Sequence, residues 1–134
     1  MKVSTIFPVL LLSLLDFASA GDFENAVACG AKFPRIMTAI DVFCQKKKGN
    51  GQLANDLVCP SPWANYGFQF QGLSGNQIHI HITGNCSPAQ WIPVNYCTSQ
   101  FHEVCAKSTS KFGYNSRRYG NNGCQNFIIE AMRK

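Results

Sequence analysis

Two segments of the chain alternate between apolar and polar residues. Aromatic side chains take every second position in "YGFQF" (66–70), and isoleucine alternates with histidine in "IHIHIT" (78–83). A period of two residues predicts β-strands. The glycine-rich stretch "GLSGN" between the two segments predicts a turn, so this region is predicted to form a β-hairpin. A second hairpin is predicted near the C-terminus, with strands at 111–118 and 124–132 around the turn "YGNNG".

Two other regions carry apolar residues at helical spacing. The first runs from Phe23 to Cys44 and is interrupted at Pro34, because proline disfavours helical geometry at the residue before it. Its opening turns are expected to point Phe23 and Val27 inward. The second runs from Ser87 to Lys107 and is interrupted at Pro93, with a predicted capping box at its start. Its expected inward stripe is Val94, Cys97, Phe101, Val104 and Cys105.

The predicted element order is therefore helix, strand, strand, helix, strand, strand. Paired strands separated by helices are typical of the α+β class. We expect an αββαββ domain with a four-stranded antiparallel sheet and two helices packed on one face.

The N-terminal segment has the organisation of a secretion signal. Lys2 supplies a positive charge, a short apolar run follows, and Ala18-Ser19-Ala20 matches a cleavage site for signal peptidase. We therefore expect residues 1–20 to be removed, and residues 21–134 to form a single disulfide-rich domain that is secreted and extracellular. No membrane insertion is predicted.

The charge of the chain is mildly basic, with a formal net charge of +5. The only basic clusters are 46–48 and 117–118, which are interpreted as solvated surface. No nucleic-acid partner is predicted from this charge.

The cysteine content predicts a disulfide framework, as expected in an oxidising compartment. Seven cysteines allow three bridges with one buried thiol, or a spare cysteine that joins two chains; the protein is thus expected to be a monomer or a homodimer. Cys97 and Cys105 lie eight residues apart, about 12 Å along a helix. A disulfide needs Cα atoms closer than about 7 Å, so these two are expected to bond elsewhere, with Cys59, Cys86 and Cys124 as the expected partners. The bridged residues are to be drawn from Cys29, Cys44, Cys59, Cys86, Cys97, Cys105 and Cys124.

The alternation around the histidines predicts a polar sheet face. If the isoleucines of the second strand are buried, His79 and His81 point to the opposite, exposed face, with Gln69 and Gln71 beside them. A metal site needs further ligands, and none is evident: His102 is expected on the outer side of the second helix with Glu103 beside it, and neither converges on this strand. No metal and no cofactor are therefore predicted.

Sugar binding is the first of two functions that such a polar face suits. Sugars need amide, imidazole and guanidinium groups beside an aromatic platform, and the polar groups here are mostly neutral. We therefore predict a glycan-binding surface, with no catalytic residues, whose partners are glycans or glycoproteins. Tyr66 and Trp91 are further aromatic candidates outside the predicted site, and packing in the core is the favoured interpretation for Tyr66. The predicted site residues are Gln69, Gln71, His79, His81, Trp63, Tyr114, Arg117 and Tyr119.

The alternative is a secreted toxin or effector of killer-toxin-like or ribonuclease-like type. Small secreted ribonucleases move protons with a histidine and a second acid or base, and hold phosphate with a cation. The set that would serve this chemistry is His79, His81, Glu130, Arg117 and Arg118.

The order of elements, size and cysteine placement resemble the Y-three-like family of fungal glycan-binding proteins, which are small secreted mushroom lectins. The segments that carry the resemblance are "ACGAKFP", "GFQFQG…QIHIHITG", "YCTSQFHEVC" and "NNGCQNFIIE". The resemblance covers the whole predicted mature chain, residues 21–134. The resemblance implies an α+β fold, disulfides, an extracellular defence protein and recognition of N-acetylated sugars without a metal. It assigns no individual sugar-contacting residue.

Overall fold

The computed structural model describes residues 21–45, 57–72 and 77–132. The predicted signal segment, the basic cluster at 46–48 and most of the turn between the first two strands lie outside these ranges. Among the described helices, none has the length and apolar character needed to cross a bilayer. The elements are α1 (21–32), α2 (Pro34–Cys44), β1 (Val58–Cys59), α3 (Pro62–Tyr66), β2 (Phe68–Gln71), β3 (Gln77–Gly84), β4 (Gln90–Trp91), α4 (Val94–Ala106), β5 (Asn115–Tyr119) and β6 (Gln125–Met132).

The main sheet has four antiparallel strands in the order β2-β3-β6-β5. Ile80 of β3 lies opposite Ile129 of β6, and Ile82 lies opposite Phe127, so one face of the sheet is continuous and apolar. Helices α2 and α4 cover that face: the rings of Phe43 and Phe101 meet edge to face at 5.6 Å, and Phe101 lies 4.8 Å from Phe127. The predicted α+β class and the antiparallel four-stranded sheet are confirmed. Strands β1 and β4 form a separate two-stranded sheet.

Helix α4 begins at Val94, not at Ser87 as the capping pattern predicts. The residues before Pro93 are extended because they pair with β1, and the backbone N–H of Ile92 donates to the carbonyl oxygen of Leu57 at 2.9 Å. Proline disfavours helical geometry before it, so the helix can start only after Pro93. Val94, expected in the buried stripe, is exposed in this first turn.

Helix α1 packs differently from the prediction. Phe23 and Val27 are exposed, whereas Cys29 is completely buried. The contacts that fix the helix are polar and covalent: Asp22 lies 2.9 Å from Nδ1 of His102, and Cys29 is bonded to Cys105. His102, expected on the outer side of α4, is consequently buried under α1.

Two of the disulfides join helices to one another, and the third lies outside the helices. Cys29 is bonded to Cys105 and Cys44 to Cys97, which ties α1 and α2 to α4, and Cys86 is bonded to Cys124. The prediction that Cys97 and Cys105 do not bond each other is confirmed, as is the arrangement of three bridges with one buried thiol. The thiol is Cys59, which was expected to form a bridge. The expected partners of Cys97 and Cys105 were wrong, because α1 and α2, rather than the sheet, lie against α4.

Candidate functional site

His79 and His81 project from the face of β3 opposite the apolar core. The register places Gln69 of β2 opposite His79, and Gln71 opposite Gln77. The four residues predicted from the alternation therefore share one face of the sheet, because side chains two apart on a strand point the same way.

This face is partly covered at the histidines, so the expectation that both are exposed is wrong. His81 is only 8% exposed, and the side chain of His79 is 12% exposed. The cover is α3 and the residue after it: Nε2 of His79 donates to the carbonyl oxygen of Tyr66 at 2.6 Å. The backbone of Gly67 passes directly over Ile80 and His81. Gln69 and Gln71 remain exposed.

Glu130 of β6 joins the two histidines. It lies opposite His79 in the register, and its Oε1 is 3.2 Å from Nε2 of His81 and 3.7 Å from Nδ1 of His79. The two imidazole rings are stacked, with centroids 3.9 Å apart and planes within 9°. Burial and the neighbouring His79 lower the pKa of His81 more than Glu130 raises it, which favours the neutral ring.

The expectation that no further ligand converges on these histidines is also wrong. One ligand atom from each of His79, His81 and Glu130 lies within 4.8 Å of the other two. The missing information was the pairing of β3 with β6, which brings together residues about fifty positions apart in sequence.

Two residues of the predicted site lie on the other face of the sheet. Arg117 and Tyr119 alternate with the outward residues of β5, and both contact Glu103 of α4. Nε of Arg117 is 3.4 Å from Oε1 of Glu103, and the hydroxyl of Tyr119 donates to the same oxygen at 2.6 Å. Burial, reinforced by Glu103, raises the pKa of Tyr119. Neither side chain meets the histidines.

The remaining predicted aromatic platforms are partly buried. Trp63 packs against the hydrophobic core, and its indole N–H is buried without a partner within the described part of the chain. Tyr114 packs on Phe112, with ring centroids 5.6 Å apart. Conversely Tyr66, interpreted as core, belongs to α3 and is 74% exposed.

The residues proposed for ribonuclease-like chemistry do not all come together. Across residues 21–45, 57–72 and 77–132, no lysine or arginine side chain bonds to His79, His81 or Glu130. Arg118 is on the histidine face, but it pairs with Asn126 at the far side of the sheet. From strand spacing, its Cα is about 12 Å from that of His81, and its guanidinium donates to the carbonyl oxygen of Gly123. Among the residues that the structure describes, the acid–base groups therefore have no adjacent cation to hold a phosphate.

A different surface combines exposed aromatic rings with amides. Trp91 is 60% and Tyr96 is 57% exposed, and both line a groove of about 240 Å³. The groove lies where β4, the first turns of α4 and the β5–β6 turn meet. Its other walls are Gln90, Ile92, Pro93, Gln100, Gly120 and Gln125. We call this the Trp91 groove.

The Trp91 groove adjoins a second, larger groove through a shared residue, Gln90. The second groove has a volume of about 560 Å³ and is lined by Asn85, Ser87, Pro88, Ala89, Gln90, Asn121, Asn122 and Cys124. The side-chain oxygen of Gln90 accepts from the backbone N–H of Asn121 and from Nε2 of Gln125, both at 3.2 Å. None of the described residues that line either groove is charged.

Sequence reasoning noted Trp91 as an aromatic candidate but left it out of the site. The sequence does carry a local signal that Trp91 and Tyr96 lie close together. Trp91 lies two residues before Pro93, which interrupts the helical pattern, and Tyr96 lies in the first turn of α4. The contribution of Gln125 and Asn121 depends on the second hairpin folding back onto β4.

Comparison with known proteins adds no relative from which a function could be transferred, since no family model, curated protein or solved structure matches this chain.

Proposed function

We propose that the protein is a secreted carbohydrate-binding protein that recognises glycans without catalysis. The observation that carries the proposal is the Trp91 groove, in which two exposed aromatic rings stand beside glutamine side chains and no charged group. This composition matches a pyranose ring, which offers C–H groups on its face and hydroxyl groups around its edge.

The exposure of Trp91 and Tyr96 favours a ligand over a structural role. A tryptophan usually buries most of its surface, and apolar groups that stay exposed together mark binding surfaces. Val94, also exposed, lies between them in sequence. Three large apolar side chains are thus exposed within six residues.

The neutral lining distinguishes a glycan from a nucleic acid. Phosphate backbones are held mainly by lysine and arginine, and neither residue type is among the described residues that line the two grooves. The amides of the adjoining groove extend the same neutral surface, so more than one sugar unit fits. The resemblance noted above makes N-acetylated sugars the first group to test.

The three disulfides are compatible with an oxidising, extracellular compartment. Secretion with removal of residues 1–20 is part of the proposal. N-terminal sequencing of the secreted protein should begin at Gly21.

We expect Trp91→Ala to weaken glycan binding by about 2 kcal/mol, about 30-fold, because a tryptophan at the centre of a binding surface typically contributes this much. Folding should change little, since the side chain is mostly exposed. The measurement is a glycan array that compares N-acetylated with non-acetylated oligosaccharides, followed by calorimetry of the best ligand.

Tyr66→Ala is the matched control, because it removes another mostly exposed aromatic ring, from the helix that covers the histidine face. Loss of binding in this variant with full binding in Trp91→Ala would move the site to the histidine face. Absence of any array ligand, together with cleavage of a fluorescent RNA, would replace the proposal by the ribonuclease-like alternative.

A further inference from the structure

The cluster of His79, His81 and Glu130 has a feature that the glycan proposal does not use. Because a carbonyl oxygen only accepts hydrogen bonds, the 2.6 Å contact with Tyr66 places the proton of neutral His79 on Nε2. Nδ1 then carries a lone pair, and it faces a carboxylate oxygen 3.7 Å away. A proton on Nδ1 satisfies this contact when the ring is protonated, and a cation held between the two atoms satisfies it when the ring is neutral.

We propose that His79, His81 and Glu130 bind a divalent transition-metal ion of the Zn²⁺ type. Imidazole and carboxylate ligands suit this class, and two histidines with one glutamate are a known set of three protein ligands for zinc, with a fourth position left for water. The proposed ligand atoms are Nδ1 of His79 and Nε2 of His81, which face Glu130, together with a carboxylate oxygen of Glu130.

The outer contact of His79 is the one that metal-binding histidines normally make. Such histidines donate their second ring N–H to a carbonyl or carboxylate, which fixes the tautomer and the ring orientation. In this protein α3 supplies that acceptor through Tyr66. Helix α3 therefore holds the His79 ring in one orientation, with Nδ1 directed towards Glu130.

One ring must turn for the ion to bind. A metal lies close to the plane of each imidazole at about 2.0–2.1 Å from nitrogen, and two parallel rings 3.9 Å apart cannot both meet that condition. His81 is the ring with fewer polar side-chain contacts to break, since its Nδ1 is buried without a partner among the described residues. The turn gives up the stacking on His79 and the 3.2 Å contact with Glu130, and the metal would replace the latter.

The ion has a route from solvent. The histidine side chains are 12% and 11% exposed, whereas that of Glu130 is 50% exposed. Glu130 therefore forms the open side of the site, and a bound water or another ligand would approach from there. The Trp91 groove includes Gln125, which alternates to the opposite face of β6, so the metal site and the proposed glycan site are separate.

The test is calorimetric titration of ZnCl₂ into the disulfide-bonded protein, prepared without a polyhistidine tag and freed of metal with a chelator. We expect one ion per chain, and a rise in melting temperature that EDTA reverses. His81→Gln and Glu130→Gln should each bind at least about 100-fold more weakly, since even loss of an outer-shell partner costs 10–100-fold. His102→Gln is the control, because this histidine contacts Asp22 instead.

Glu130→Gln keeps the test informative if His81→Gln does not fold, because Glu130 is half exposed. Absence of zinc binding in the wild-type protein would overturn the proposal. So would binding that both variants retain, or binding that His102→Gln loses to the same extent.

Discussion

Gly67→Ala should lower the free energy of unfolding by about 3 kcal/mol or more. Gly67 has φ 63° and ψ −147°, a region that only glycine adopts readily and that costs other residues about 1–3 kcal/mol. A Cβ atom there would overlap the carbonyl oxygen of Ile80 and lie 2.5 Å from Cβ of His81. Both neighbours belong to β3, a central strand, and cannot move aside independently.

Gly30→Ala is the matched control for this change. Gly30 lies in α1, and a Cβ atom there would meet only Cγ of Met37, at an ordinary 3.6 Å. Alanine is the better helix former by about 1 kcal/mol, so this variant should be as stable as the wild type or more stable. Urea unfolding of the three proteins measures the difference. An unchanged midpoint for Gly67→Ala would show that α3 does not cross β3 this closely.

The predictable part of the fold is the part that alternation and helical spacing determine locally. The histidine strand shows this directly: a shift by one residue would bury His79 and His81 and expose three isoleucines, so the pattern alone decides which face is apolar. The C-terminal strand follows the same rule, with Phe127 and Ile129 buried.

Helix α3 was not predictable from the same signals. It has five residues, begins with a proline and ends at Gly67, so it is too short to show a helical period. Ser61 caps it by accepting from the backbone N–H of Ala64 at 3.2 Å. Because this helix lies over β3, it changes His81 from a surface residue to a buried one.

The two candidate sites depended on pairings that sequence does not specify. Glu130 reaches the histidines only because β6 lies beside β3, and the register that puts it opposite His79 is set by the whole hairpin. Arg117 was predicted on the histidine face, but it lies opposite Phe127, on the other face of the sheet. Its neighbour Arg118 lies on the histidine face, and only the register of β5 shows this.

Removal of the bridge between α2 and α4 should be the other large effect. Replacing Cys44 and Cys97 together by alanine opens a loop of 53 residues, and the entropy of closing such a loop corresponds to about 4 kcal/mol at 25 °C. Small domains have only about 5–15 kcal/mol of total stability. We therefore expect the double variant to fold but to melt about 15 °C lower.

The control for the lost bridge is Cys59→Ala, which removes a buried cysteine that forms no disulfide. Only the packing and the weak contact of Sγ with the carbonyl oxygen of Thr83 are lost, so we expect a cost of about 1 kcal/mol. Replacing both bridged cysteines leaves no new thiol that could attack the other disulfides. Thermal unfolding without reductant compares the three proteins, and alkylation should find one thiol in the wild type that reacts only after denaturation. Equal losses in the two variants would mean that the cysteines act through their packing, and that the connection between α2 and α4 contributes little.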